Sequence, residues 1–145
     1  MADATNTRQK LQRFNTDFTY LMERLPDQST GVTRIGPDHL RYGAYARRLP
    51  SRALLRLRVN PQFLGSLKGT GRLNVVYYDD TPGTGLVVAA SGQKWQAPMR
   101  GGKIWRTISF DLSPPAFPTA SDGADIRIET TDQPVCLHLV ELERR

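Results

Sequence analysis

Cysteine is almost absent from this 145-residue chain: the single copy, Cys136, cannot form an internal disulfide, so burial and hydrogen bonding must hold the fold. Lysine is scarce as well. Lys10, Lys68, Lys94 and Lys103 are the only lysines among twenty basic residues, so arginine carries most of the net charge of +6. Histidine is limited to His39 and His138, which leaves few imidazoles for proton transfer near neutrality. No apolar run approaches the roughly 20 residues that span a bilayer, and the opening MADATNTRQK lacks the apolar stretch of a signal peptide. The expectation is a soluble chain, cytoplasmic unless it is a fragment of a larger protein. Internal repeats and low-complexity segments are also missing.

The composition that remains is globular, with 39% hydrophobic and 23% charged residues. This length suits one domain with a core of its own. Between Thr7 and Leu25 the apolar residues Leu11, Phe14, Phe18, Leu21 and Leu25 step by three and four, the spacing of one helical stripe. Thr5, Asn6 or Thr7 would cap its start, and Pro26 forbids its continuation. The stripe would either cover the rest of the fold or serve as a seam for a protein partner or a second copy. It is too short for a stable independent coiled coil.

After PDQSTG the pattern changes to short alternating segments broken by Gly, Pro, Asn and Asp. Strands are expected at 40–48, 53–59, 72–78, 84–90, 104–112, 124–129 and 135–143, with a further short one near Trp95. NPQFLGS, DDTPGTG, LSPPAFPTASDG and TTDQP read as the turns between them. Strands without intervening helices predict an all-β antiparallel sandwich over 31–145, preceded by a helical extension over 1–30. In GKIWRTISFDL, Ile104, Ile108, Phe110 and Leu112 share one face with Arg106, while Trp105, Thr107, Ser109 and Asp111 share the other. In 53–59, Leu55, Leu57 and Val59 lie opposite Arg56 and Arg58, so those arginines face water or an anion.

The order of these segments is distinctive. A strand ending NVVYYDD, a hairpin PGTGLVVAA, the strand IWRTISFDL, the loop PPAF, then GADIRI and the closing VCLHLVELERR resemble the jelly-roll modules appended to bacterial glycoside hydrolases and other polysaccharide-active proteins. The match runs from about residue 53 to 143, with a weaker echo at DHLRYGAYARRL. It rests on several weak motifs in the right order. The resemblance implies a jelly-roll sandwich and a non-catalytic carbohydrate-binding role. It also implies that Trp105 belongs to the strand framework, packed against the second sheet or beneath the N-terminal helix.

Sugar recognition requires a flat apolar surface with polar groups around it. Trp95 in SGQKWQAP is the best such aromatic, with Gln93, Lys94 and Gln96 beside it; the other reading makes it a plug at the sandwich edge. Tyr42, Tyr45, Tyr77 and Tyr78 are further aromatics, and Tyr77 and Tyr78 must face opposite ways. The segment 34–58 contains Arg34, Arg41, Arg47, Arg48, Arg52, Arg56 and Arg58 but only Asp38 as an acid. If Arg47, Arg56 and Arg58 converged, they would attract an acidic polysaccharide. Tyr42 and Tyr45 would also suit single-stranded nucleic acid, but no nucleic-acid-binding signature is present.

Asp79, Asp80, Asp122 and Asp125 raise the question of structural calcium, although turn formation explains them more economically. No cofactor is expected. His138 and Cys136 stand two apart in an apolar strand without a third orienting group, and no carboxylate pair is placed across a cleft, so no enzyme is expected. The competing reading is an assembly or adaptor subunit that binds protein through Leu11, Phe14, Phe18, Leu21 and Leu25 and the sandwich surface.

Overall fold

The computed structural model describes residues 21–32, 46–67, 71–112 and 122–144. Ten strands form in these residues: β1 (Met22–Arg24), β2 (Gly31–Val32), β3 (Arg47–Leu49), β4 (Leu54–Val59), β5 (Gly71–Asp79), β6 (Gly83–Ala90), β7 (Gln93–Met99), β8 (Ile104–Leu112), β9 (Ile126–Thr130) and β10 (Val135–Arg144). They build two five-stranded sheets, sheet A in the order β1-β4-β9-β6-β7 and sheet B in the order β2-β3-β10-β5-β8. Every pairing is antiparallel. This is the expected all-β sandwich.

The core follows from alternation. Leu55, Leu57 and Val59 in β4, Leu86 and Val88 in β6, and Ile126 and Ile128 in β9 form the inner side of sheet A. Leu73, Val75 and Tyr77 in β5, Phe110 and Leu112 in β8, and Leu137 in β10 meet them from sheet B. Each fully buried aliphatic side chain contributes about 1.5–3 kcal/mol relative to exposure, which makes this shared layer the main source of stability. Ile108 packs against the same core, so the predicted phase of β8 is correct from Ile108 onward. Ile104 shares that phase yet is 49% exposed, because it lies at the strand's start.

Several elements depart from the sequence expectation. Leu21 and Leu25 were expected on the helical stripe, but the chain between them is β1, paired with β4 from Met22 to Arg24. The Leu25 N–H donates to the Arg56 carbonyl and the Asn60 N–H to the Leu21 carbonyl, so pairing to a distant strand prevails over the helical period. The sandwich therefore includes residues assigned to the 1–30 extension. Leu11, Phe14 and Phe18 lie outside the described residues, as do Tyr42 and Tyr45. The NPQFLGS turn contains a short helix, α1 (Pro61–Ser66): the Asn60 side chain accepts from the Gln62 and Phe63 N–H groups, and Pro61 opens the first turn.

Two turns shape the surface around β7. Ser91 and Gly92, both at positive φ (53° and 72°), join Ala90 to Gln93 as a two-residue hairpin of the type that matches strand twist. At Gly85 the register of β6 on β7 shifts, and an added Cβ would stand 2.0 Å from the Ala97 carbonyl oxygen. Only glycine fits that approach.

Candidate binding site

At the Ser91–Gly92 turn, the outer face of sheet A ends in a hollow of about 240 Å³. Its small residues are Ala89, Ala90, Gly92 and Ala124, and its polar ones include Gln93, Lys94, Asp125 and Arg127. The volume is below the ~300 Å³ at which sites for drug-sized ligands begin, so it suits a single small polar ring. The elements around it are firmly placed: Arg127 sits between inward-facing Ile126 and Ile128, with β4 and β6 on either side. Asp125 is fixed by two bonds, its N–H to the Leu57 carbonyl and its Oδ2 from the Val59 N–H at 2.7 Å.

Charges beside the hollow form a cluster. Asp122 Oδ2 accepts from Arg127 Nη1 at 2.7 Å and lies 3.6 Å from Arg56 Nη1, and its Oδ1 accepts from the Ala124 N–H. The Ala124 N–H chiefly, with both guanidinium groups, holds the Asp122 carboxyl below its ordinary range against a smaller opposing effect of burial. Arg56 also donates to the Pro26 carbonyl. Arg56 and Arg127 are therefore oriented, cross-strand neighbours. Lys94 is exposed and has no ion pair among the described residues. The arrangement joins an exposed cation, an oriented guanidinium and amide and carboxylate acceptors over a small-residue floor, which suits a hydroxylated ligand with a negative group.

The residues singled out from sequence do not form one site. Gln93 and Lys94 line the hollow, but Trp95 turns inward and stacks on Phe110 with ring centroids 4.5 Å apart. Since β7 and β8 are edge strands of opposite sheets, this stack closes the side of the sandwich, and Trp95 is a framework plug rather than an exposed platform. Tyr78 does face away from Tyr77, but only 6% of it is exposed, with Trp105 meeting its ring edge-on at 5.2 Å. A ligand has no flat face of Tyr78 to cover. Trp105 also meets His138 edge-on, on the side of sheet B opposite the inward-facing residues, so it does not pack against the second sheet.

The arginines separate too. Arg47 is 6% exposed and donates to the Thr30 hydroxyl, which bonds to Asp27, so it is an internal tie. Arg58 pairs with Glu23 across the β1–β4 ladder, and Arg56 pairs with Asp122, so the outer face of sheet A carries mixed charge. Arg127 and Asp125 complete the hollow and were not proposed as ligand contacts from sequence. Alternation in ADIRIE did place Arg127 on an outer face; its closeness to the β6–β7 turn was not legible there.

At the opposite end of β7 the polar chemistry is internal. Asp79 is fully buried; its Oδ1 accepts from the Arg100 and Gly101 N–H groups at 2.7 and 2.8 Å, and its Oδ2 from Gly102 N–H at 3.4 Å and Arg106 Nε at 2.6 Å. Burial raises its pKa, but the Arg106 bond and three backbone donors outweigh that and hold it at about 2. Asp80 pairs with Lys103. Among the described residues no cluster of three or more His, Cys, Asp or Glu could hold a metal ion. Burial pushes the Cys136 thiol above its ordinary range, a shift away from the reactive thiolate.

No family model and no curated protein matches the sequence. Among solved structures, the fold is similar to a peptidoglycan O-acetylesterase, with a TM-score of 0.49 and 10% identity over 87% of this chain and 30% of that one. It is similar to a carbohydrate-binding module from Cellvibrio mixtus lichenase 5A, solved with cellotriose, with a TM-score of 0.48 and 13% identity over 85% and 90%. A family 16 carbohydrate-binding module gives a TM-score of 0.46 and 15% identity over 79% and 84%.

Proposed function

We propose that this chain is a non-catalytic glycan-binding module whose hollow at the Ser91–Gly92 turn takes one acidic sugar residue. The observation that carries the reading is Lys94 and Arg127 lining one small hollow together with Gln93 and Asp125. Lys94 supplies a positive charge for a sugar carboxylate. Arg127, oriented through Asp122, offers its remaining N–H groups to hydroxyls. Gln93 donates or accepts as the ring requires, and Asp125 Oδ1 accepts from a hydroxyl while Oδ2 stays on Val59. The order of sequence motifs resembling polysaccharide-associated jelly rolls supports the same class of ligand.

With no exposed aromatic platform among the described residues, and a hollow of single-ring size, binding should be weak, with a Kd on the order of 1 mM to 0.1 mM. The test is an NMR titration of the labelled chain with uronic-acid oligosaccharides and with neutral oligosaccharides of equal length. Expected are saturable shifts at Ser91–Lys94 and Ala124–Arg127 with the acidic ligand, reduced about tenfold in affinity by Lys94→Gln. Shifts of equal size from both ligands would remove the acidic specificity. No shift around the hollow with either would sink the site.

A further inference from the structure

The margins of the two sheets are built differently. In sheet A the edge strand β7 contains Pro98, which offers no N–H, and its partner β6 is interrupted by the register shift near Gly85. At the other margins β1 and β2 run for only three and two residues. Short strands, proline and bulges all discourage pairing with another chain. β8 has none of these features. It pairs with β5 through nine consecutive positions without a register shift, contains neither Pro nor Gly, and has no described strand on its other side. Thr107, Ser109 and Asp111 are exposed along it, and Ile104 is 49% exposed.

We infer that β8 pairs with β8 of a second copy, antiparallel about a two-fold axis at Thr107. The sequence around that point is self-complementary: Lys103 stands four residues before Thr107 and Asp111 four after it. Pairing brings each Lys103, the residue just before β8 begins, opposite Asp111 of the second copy, so its ammonium exchanges Asp80 for Asp111 and two opposite-charge contacts form by symmetry. Ile104 meets Phe110 of the second copy, Arg106 meets Ile108, Trp105 meets Ser109, and Thr107 meets its equivalent. No like charges stand directly opposite one another. Moving the axis one residue, to Ile108, would place Lys103 opposite Ser113 and lose both charge contacts. Because the two-fold uses each edge once, assembly closes at two copies, with the two B sheets joined into one. This inference does not depend on glycan binding.

Sedimentation equilibrium of the full chain, at concentrations reaching about 1 mM, measures the association. A single strand pair is a small interface, so a monomer–dimer equilibrium is expected with a Kd on the order of 100 μM. Lys103→Asp sets carboxylates face to face and should weaken dimerisation about tenfold, as should Asp111→Lys through opposed cations. Combining the two restores opposite charges and should recover the wild-type Kd. Lys103 has φ 57°, a conformation that aspartate tolerates, but Lys103→Asp breaks the Lys103–Asp80 pair as Asp111→Lys breaks Arg72–Asp111, so the recovery in the double variant is the deciding readout. A monomer throughout the range, a dimer indifferent to Lys103→Asp, or a double variant no better than the single ones would each overturn the proposal.

Discussion

The two ends of β7, about 20 Å apart along the strand, hold similar polar groups in opposite conditions. After Met99 the chain wraps around Asp79, whose oxygens are occupied by four donors and whose partner Arg106 is drawn in beside it. Before Trp95, the Ser91–Gly92 turn opens onto Lys94, Arg127 and Asp125, which keep donors and acceptors toward solvent. Both regions contain a carboxylate bound to arginine. A saturated carboxylate fixes a loop, whereas an incompletely satisfied cluster retains capacity for a ligand.

The largest expected effect comes from breaking the closed end. Asp79→Ala leaves three backbone N–H groups and Arg106 without their acceptor, and should lower stability by about 3–5 kcal/mol in denaturant unfolding. Equal stability in the variant would show that the carboxylate is not the anchor of the 100–102 loop. Trp95→Ala removes the plug between the edge strands and should follow at about 2–3 kcal/mol, below a fully buried tryptophan because Trp95 is half-buried. Loss of glycan binding with unchanged stability would instead return Trp95 to the ligand surface.

Acid sharpens the contrast. The folded pKa of Asp79, about 2, is below its unfolded value of 3.8, so its stabilisation is complete above pH 3.8 and is lost as pH falls toward 2. A chemical-denaturation series across that window should show a steeper decline in wild type than in Asp79→Asn, in which Asp122 and Asp27 still titrate. The smallest effect belongs to the open end: Asp122→Asn should change stability only slightly, as for ion pairs screened by solvent. It should nevertheless alter the acidic-sugar titration, because Arg127 loses the negative charge that orients it. A loss comparable to that of Asp79→Ala would erase the distinction between the two ends.

How far the sequence could be read depended on the range of the interaction. In β4 and β9 the alternation of Leu55, Leu57 and Val59 with Arg56 and Arg58, and of Ile126 and Ile128 with Arg127, correctly assigned both faces. In β7 the same signal existed: Trp95, Ala97 and Met99 alternate inward. The Ser91–Gly92 turn starts that strand at Gln93, so it runs through Met99 and is longer than the short strand expected near Trp95. β1 carried a helical spacing through Leu21 and Leu25, and its strand conformation comes from pairing with β4, some 35 residues further along.

The sequence by itself determined the class of fold and the membership of most of its core, because strand alternation has a period of two and is written into neighbouring residues. It also determined the turn at Ser91–Gly92 and the glycine at position 85, where local geometry restricts the side chain. Tertiary structure alone decided which outward face stayed open, which arginines were neutralised by Asp122 and Glu23, and that Phe110 would cover Trp95. Those outcomes join residues from strands distant in sequence, and the charge or ring face that remains available depends on the partner it meets there, not on its own position in the chain.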